Sequence, residues 1–313
     1  MAGYLEPTAP SEEAGKLHKI FEHIEADNEV SVLHGLEHDF GGDPNVADEA
    51  GTTPLLVAAK DGKGSIVKAL LDKKADPMLA DLDGDNALML AISQGHMDIV
   101  RDLLSDGRGV DPDVPNKIGQ TPLMKAANKS NVECVQLLLE AKVNPNAKTK
   151  VGKTALMQAV EKNSLESAEA LLKMGADVAV ADDRGFTALF PAAFRCDDPM
   201  LQLLLSSKAN PATKAPPGTP LMMAVESPSF KLSAIETLLS HGCPLNELSA
   251  EGNSALMIAI EENNADALAA LLKAGADPAI KNKEGKTALD LAKDKGDQVM
   301  KELLEGHKGL ELA

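Results

Sequence analysis

The stretch Gly51-Thr52-Thr53-Pro54-Leu55-Leu56-Val57-Ala58-Ala59 decides the fold, because the chain repeats it. GDNALMLAI from Gly84, GQTPLMKAA from Gly119, GKTALMQAV from Gly152 and GFTALFPAA from Gly185 follow at intervals of about 33 residues. PGTPLMMAV from Pro217, GNSALMIAI from Gly252 and GKTALDLAK from Gly285 bring the series to eight, with slight stretching after Gly84 and in the sixth copy. About fifteen residues beyond each phrase's leucine stands a leucine pair, from Leu70-Leu71 and Leu103-Leu104 to Leu271-Leu272 and Leu303-Leu304. After most pairs comes a turn such as Ala75-Asp76-Pro77 or Gly275-Ala276-Asp277-Pro278. Self-similarity at a fixed period of this length is the signature of a repeat architecture.

Each copy reads as a β-turn followed by two short antiparallel helices. Glycine supplies the turn's positive φ. Thr53, Thr121, Thr154, Thr187 and Thr287 sit where an N-cap belongs, and Pro54, Pro122 and Pro220 fall at the first helical position, where a missing N–H costs nothing. Paired alanines let the first helix approach its neighbours, and the leucine pairs give the second helix an apolar stripe. Ordering about 33 residues costs on the order of 50 kcal/mol at about 1.5 kcal/mol per residue, more than two short helices recover alone. The copies must therefore stack on one another.

Composition agrees. Of 313 residues 44 % are hydrophobic, but only 2 % are aromatic: six Phe, one Tyr and no Trp. Such a core is aliphatic and thin. The net charge of -17 disfavours nucleic acid, whose phosphates are bound by neutralising Lys and Arg. No apolar run approaches the eighteen or so residues of a membrane span, so membrane insertion is not expected. Residues Met1 to Lys16 lack the basic and apolar regions of an export signal. Cys134, Cys196 and Cys243 are odd in number and widely spaced, which suits a reducing, cytoplasmic setting.

In these residues the chain resembles the ankyrin repeat family, whose unit of about 33 residues carries T-P-L-H-x-A and a G-A-D-P-N-like end. The resemblance implies an all-α fold of helix pairs with β-hairpin turns, an ankyrin-like repeat solenoid. It covers roughly residues 48–304 as eight repeats. The chain departs from the motif at its histidine, replaced by Leu56, Met89, Met124, Met157, Phe190, Met222, Met257 and Asp290. In the family that histidine is expected to hydrogen-bond near the hairpin base, so these hairpins need another brace. The methionine row reads as core packing or as an adaptable apolar surface.

Upstream, Leu17, Ile20, Phe21 and Ile24 mark one helical face, and Gly42-Asp43-Pro44-Asn45 closes a degenerate capping repeat over residues 11–47. Residues 1–10 are expected to be a mobile tail and residues 305–313 a second short tail.

Catalytic and metal signals are weak. His34-Gly35-Leu36-Glu37-His38 matches an inverted zinc-protease motif but has no identifiable third ligand. Asp81, Asp83 and Asp85 imitate the opening of a calcium loop that needs Gly and Glu where Asn86 and Ile92 stand. Gly62-Lys63-Gly64-Ser65 lacks phosphate-loop spacing. Cys196, beside Arg195, is either an activated or an ordinary thiol. The expectation is no enzyme activity, no metal, no cofactor and no small-molecule substrate.

What the resemblance implies instead is one or more protein partners in the concave groove formed by hairpin tips and first helices. Family contact positions fall on Asp83 and Asp85 in the second repeat, and on Lys117, Lys129, Lys150, Lys153 and Lys162 in the third and fourth. Charge follows that division: residues 1–113, 114–181 and 182–313 carry balances of -14, +3 and -6. In the fifth repeat Phe186, Phe190 and Phe194 recur every four residues, flanked by Arg184 and Arg195 with Pro191 between. Phe190 occupies the histidine position and reads as packing. Phe186 and Phe194 read either as partner anchors or as local packing, since hot spots favour aromatics and Arg. The functional expectation is a non-enzymatic adaptor or scaffold of a multiprotein assembly. The alternative is an inhibitor or assembly chaperone masking a basic segment of one client with acidic tips such as Asp81, Asp83, Asp85, Glu251, Glu261 and Glu262.

Overall fold

The computed structural model describes the backbone of residues 12–105 and 107–310, and side chains as far as residue 306. The tail expected at residues 1–10 lies outside the described residues. Two compact bodies make up the chain, Met1–Lys150 and Val151–Ala313.

The first body pairs α1 (Glu12–Glu25) with α2 (Glu29–Phe40), α3 (Pro54–Lys60) with α4 (Gly64–Asp72), α5 (Ala87–Gln94) with α6 (Met97–Leu104), and α7 (Pro122–Asn128) with α8 (Val132–Glu140). The second pairs α9 (Ala155–Glu161) with α10 (Leu165–Lys173), α11 (Leu189–Phe194) with α12 (Asp198–Ser206), and α13 (Pro220–Val225) with α14 (Leu232–Ser240). It ends in α15 (Ala255–Glu261) with α16 (Ala265–Lys273), and α17 (Ala288–Lys295) with α18 (Gln298–Leu310). Within each body first helices pack on first helices and second on second, as α3 on α5 and α5 on α7, or α12 on α14 and α14 on α16.

The cap residues explain where the first helices begin. Thr53, Asn86, Thr121, Thr154, Thr219 and Ser254 each accept the backbone N–H three residues on, which belongs to the residue at the histidine position. Such a cap contributes about 1 kcal/mol. Asp290 closes a full capping box with Thr287. Thr187 is the exception and corrects the expected cap. Elsewhere the cap carbonyl accepts the N–H four residues on, as Thr53 does from Val57. Four residues after Thr187 stands Pro191, which has no N–H. The Thr187 carbonyl instead accepts from Phe190 at 3.2 Å, and α11 starts late, without a side-chain cap.

Met89, Met124, Met157, Met222 and Met257 are all buried, which decides the methionine row in favour of core packing. The hairpins are braced from another position. Three residues before the hairpin glycine, Asp48, Asp81, Asn116, Asp182, Ser249 and Asn282 each use one side-chain oxygen to accept two backbone N–H groups of the tip. Neighbouring tips are also tied by backbone: Lys117 donates to the Asp83 carbonyl at 3.0 Å, Lys150 to Ile118 at 2.9 Å, and Asp183 to Val151 at 3.3 Å. This approach is why the phrase starts with glycine. A Cβ at Gly84 would stand 2.7 Å from the Lys117 nitrogen, and φ there is +80°.

At the other end, α18 runs to Leu310, into residues 305–313 that were expected to form a tail. Glu305-Gly306-His307-Lys308 contains no Pro or Asx turn to stop it.

Candidate protein-interaction site

In the second body the aromatic residues of the fifth repeat come together. Phe190 is 1 % exposed, the largest fully buried side chain among the described residues. Phe186 meets it edge-to-face, ring centroids 4.9 Å apart at 85°, a geometry that matches a ring's positive edge to the other's negative face. The Arg184 guanidinium carbon lies 4.8 Å from the Phe186 ring centroid. One turn along α11, Phe194 is 40 % exposed. Pro191 stands between, with Met157 on α9 and Met223 on α13 as walls. Together they bound an open pocket of about 180 Å³, rimmed by Asp182, Arg184 and Glu161.

Asp182 builds the rim. Its Oδ1 accepts the Arg184 and Phe186 backbone N–H groups at 3.0 and 2.9 Å, while Oδ2 accepts from the Arg184 guanidinium at 3.1 Å. The Arg184 side chain is still 67 % exposed. Glu161, at the end of α9, receives the Lys153 ammonium at 2.7 Å, and its carbonyl accepts from Arg195. Arg184, Phe186, Phe194, Arg195 and Lys153 are thus gathered in one place. Lys162, which caps the C-terminus of α9, is exposed in the same body.

The remaining expected residues lie in the first body. Lys117, Lys129, Lys150 and Asp83 are exposed there. Asp85 is not, which corrects its assignment to a partner-facing set. It is 8 % exposed, and its two oxygens accept from Asn116 Nδ2 at 2.8 Å and Lys125 Nζ at 2.5 Å. The pairing partner lies forty residues away on the next first helix.

Further along the second body, carboxylates collect at the same end of the first helices. Glu226 caps α13, Glu262 caps α15 next to Glu261, and Glu251 stands on the intervening hairpin tip. Burial pushes the Glu226 carboxyl above its ordinary value, and the charges of Glu262, Glu251 and Glu261 push it further.

Other motifs stay apart from any site. His34 and His38 stand with ring centroids 4.1 Å apart on the exposed side of α2. Among the described residues no three His, Cys, Asp or Glu are grouped to hold a metal ion. The Asp81 Oδ1 accepts the Asp83 and Asp85 N–H groups at the hairpin tip. Cys196 is buried, its thiol directed at the Ala224 carbonyl, which fits the ordinary reading. Burial raises the Cys134 and Cys243 thiols to about 12. Among the described residues no helix is long and apolar enough to cross a membrane.

Sequence reasoning missed Asp182, Met223 and Glu226. Asp182 had a signal, since six of the eight hairpins carry Asp, Asn or Ser three residues before the glycine. Met223 had none, because its place on the wall depends on how α11 and α13 pack.

Stacked helix pairs with capped first helices and hydrogen-bonded hairpin tips define a helical repeat protein of the kind that presents a binding surface. The chain belongs to the ankyrin-repeat family: the model for ankyrin repeats in three copies matches residues 23–116, 108–182, 189–282 and 221–312. It is similar to an ankyrin repeat-containing protein of Treponema pallidum (strain Nichols), 36 % identical over 110 residues, or 34 % of this chain. That alignment spans 36 % of the relative's length, well under two thirds of it. The fold is similar to the crystal structure of the ankyrin repeat domain of Bcl-3, a member of the IkappaB protein family, at a TM-score of 0.61 and 30 % identity. The match covers 70 % of this chain and 97 % of that domain. Ankyrin repeats generally mediate protein–protein interaction, and no enzymatic family is indicated.

Proposed function

We propose that the chain is a non-enzymatic adaptor or scaffold that seats a protein partner on its hairpin tips and first helices, anchored at the pocket formed by Phe186, Pro191 and Phe194. One observation carries the reading: two aromatic side chains are held partly exposed around a preformed apolar hollow, one of them fixed by Asp182 and stacked under Arg184. Bulky apolar groups cost free energy in water, and hot spots favour aromatics and Arg in well-packed pockets. At about 180 Å³ the hollow is below the roughly 300 to 1,000 Å³ of small-molecule sites and suits a single side chain of a partner. Lys162, Arg195 and Lys153, the last paired with Glu161, stand at one side of it; on the first body, Lys117, Lys129, Lys150 and Asp83 are proposed partner contacts in their own right. The helix pair α1 and α2 serves as an N-terminal cap ahead of eight repeats over residues 48–304.

The test is the pair of substitutions Phe186→Ala and Phe194→Ala in the full chain. Partner affinity falls by about a hundredfold, in line with the loss of two anchors of about 1 to 2 kcal/mol each. Helical content is unchanged, and melting drops only slightly, through the lost Phe186–Phe190 contact. Retained affinity removes the fifth repeat from the site.

A further inference from the structure

We infer that the occupant of this groove is an extended segment of another protein that places an apolar side chain in the Phe186–Phe194 pocket and a Lys or Arg about three residues away, over Glu226 and Glu262. The inference rests on the proposed function and adds the chemistry of the partner.

The apolar hollow and the carboxylates are parts of one surface. Met223 walls the pocket and Glu226 caps the same helix, α13, three residues later. Residues so spaced share a helix face, about 4.5 Å apart along the axis. The next first helix, α15, packs against α13 and ends in Glu261 and Glu262. Packed helices lie about 10 Å apart, and an extended strand advances about 3.3 Å per residue, which gives the three-residue separation.

Position by position, this end of the groove lacks its counter-charge. At the pocket's own rim, Glu161 occupies the equivalent place at the end of α9 and is neutralised by Lys153 at 2.7 Å. Among the described ion pairs none holds Glu226, Glu251, Glu261 or Glu262. Glu251 is met by the Ser249 hydroxyl and Glu261 by the Asn253 amide, both neutral donors. Two ammonium groups on neighbouring elements are engaged with other acceptors: Lys295 donates to the carbonyls of Ile260 and Glu261 and to the Asn263 side chain, and Lys283 to the carbonyl of Ala250. Glu226, Glu261 and Glu262 also stand at helix C-termini, where the helix dipole already favours a cation. The pocket thus opens directly onto a surface complementary to positive charge, and a cationic group from outside relieves repulsion that the fold leaves in place.

A positional-scanning decapeptide library bound to the full chain tests this. Expected is enrichment of Leu, Met or Phe at one position and of Lys or Arg three residues to one side. In the Glu226→Gln plus Glu262→Gln variant the apolar preference persists, while the basic preference disappears and the selected peptides bind about tenfold more weakly, or about 1.4 kcal/mol. Acidic or neutral residues at the flanking position, or a basic preference unchanged in that variant, overturn the inference and leave the pocket reading standing. An apolar preference insensitive to Phe194→Ala, or a library that enriches nothing, overturns both.

Discussion

The Oδ1 oxygen of Asp182 accepts the backbone N–H of Phe186 at 2.9 Å, and its other oxygen holds the Arg184 guanidinium that covers the Phe186 ring. A carboxylate thereby positions the aromatic side chain proposed as an anchor, using the same contact that braces five other hairpins.

Asp182→Ala is therefore expected to weaken partner binding by about tenfold while costing about 1 to 3 kcal/mol of stability, as two tip N–H groups lose their acceptor. Asp182→Asn keeps an amide oxygen in place, as Asn116 and Asn282 do in their own hairpins. It restores stability and loses only the ion pair with Arg184. Denaturant midpoints and affinities of the two variants, measured together, separate bracing from charge; equal behaviour of Ala and Asn would refute the bracing role.

The pair formed by Asp85 and Lys125 is nearly buried, with side chains 11 % and 13 % exposed. Lys125→Met leaves Asp85 with Asn116 alone and is expected to destabilise the chain by about 3 kcal/mol, the lower end of what breaking a buried pair costs. Lys117→Met, on an exposed hairpin tip, is expected to stay within about 0.5 kcal/mol. Urea denaturation at neutral pH checks both. Equal, small effects would mean that Asp85 is not tied into the fold as the structure has it.

The raised carboxyl of Glu226 has a signed consequence for stability. The folded chain holds this proton more tightly than the unfolded chain, whose carboxyl titrates near the ordinary 4.5. Stability contributed here falls as pH rises through the interval above that value. Glu226→Gln removes the repulsion, so the variant is slightly more stable than the parent at pH 7, by less than about 1 kcal/mol because solvent screens a half-exposed group. The difference closes below about pH 4, where the parent's carboxyl is protonated in both states. A variant less stable than the parent at pH 7 contradicts the crowding of Glu226 by Glu262, Glu251 and Glu261.

How far the sequence revealed this molecule follows from the range of the interactions. The helix pairs were legible because cap, proline, alanine and leucine positions act within a few residues. The hairpin braces were legible in principle as Asp, Asn or Ser three residues before glycine, whereas the family motif places its hydrogen-bonding side chain at the histidine position, which in this chain is mostly apolar. Asp85 was misread because its partner Lys125 lies on the next repeat, and Thr187 because the missing N–H of Pro191 moves a hydrogen bond by one residue. The pocket was half legible: Phe186, Phe194 and Arg184 stand out in composition, whereas Met223 and the uncompensated Glu226 emerge only when α11, α13 and α15 are packed side by side.

The central claim, that the partner lies against the fifth repeat on the first-helix side, is tested most directly by a photoreactive residue at position 194 and, in a second chain, at position 202, an exposed site on α12. The account predicts that the partner forms an adduct from position 194 and not from 202, and that Phe186→Ala diminishes it. An adduct from 202 with none from 194 would contradict the account.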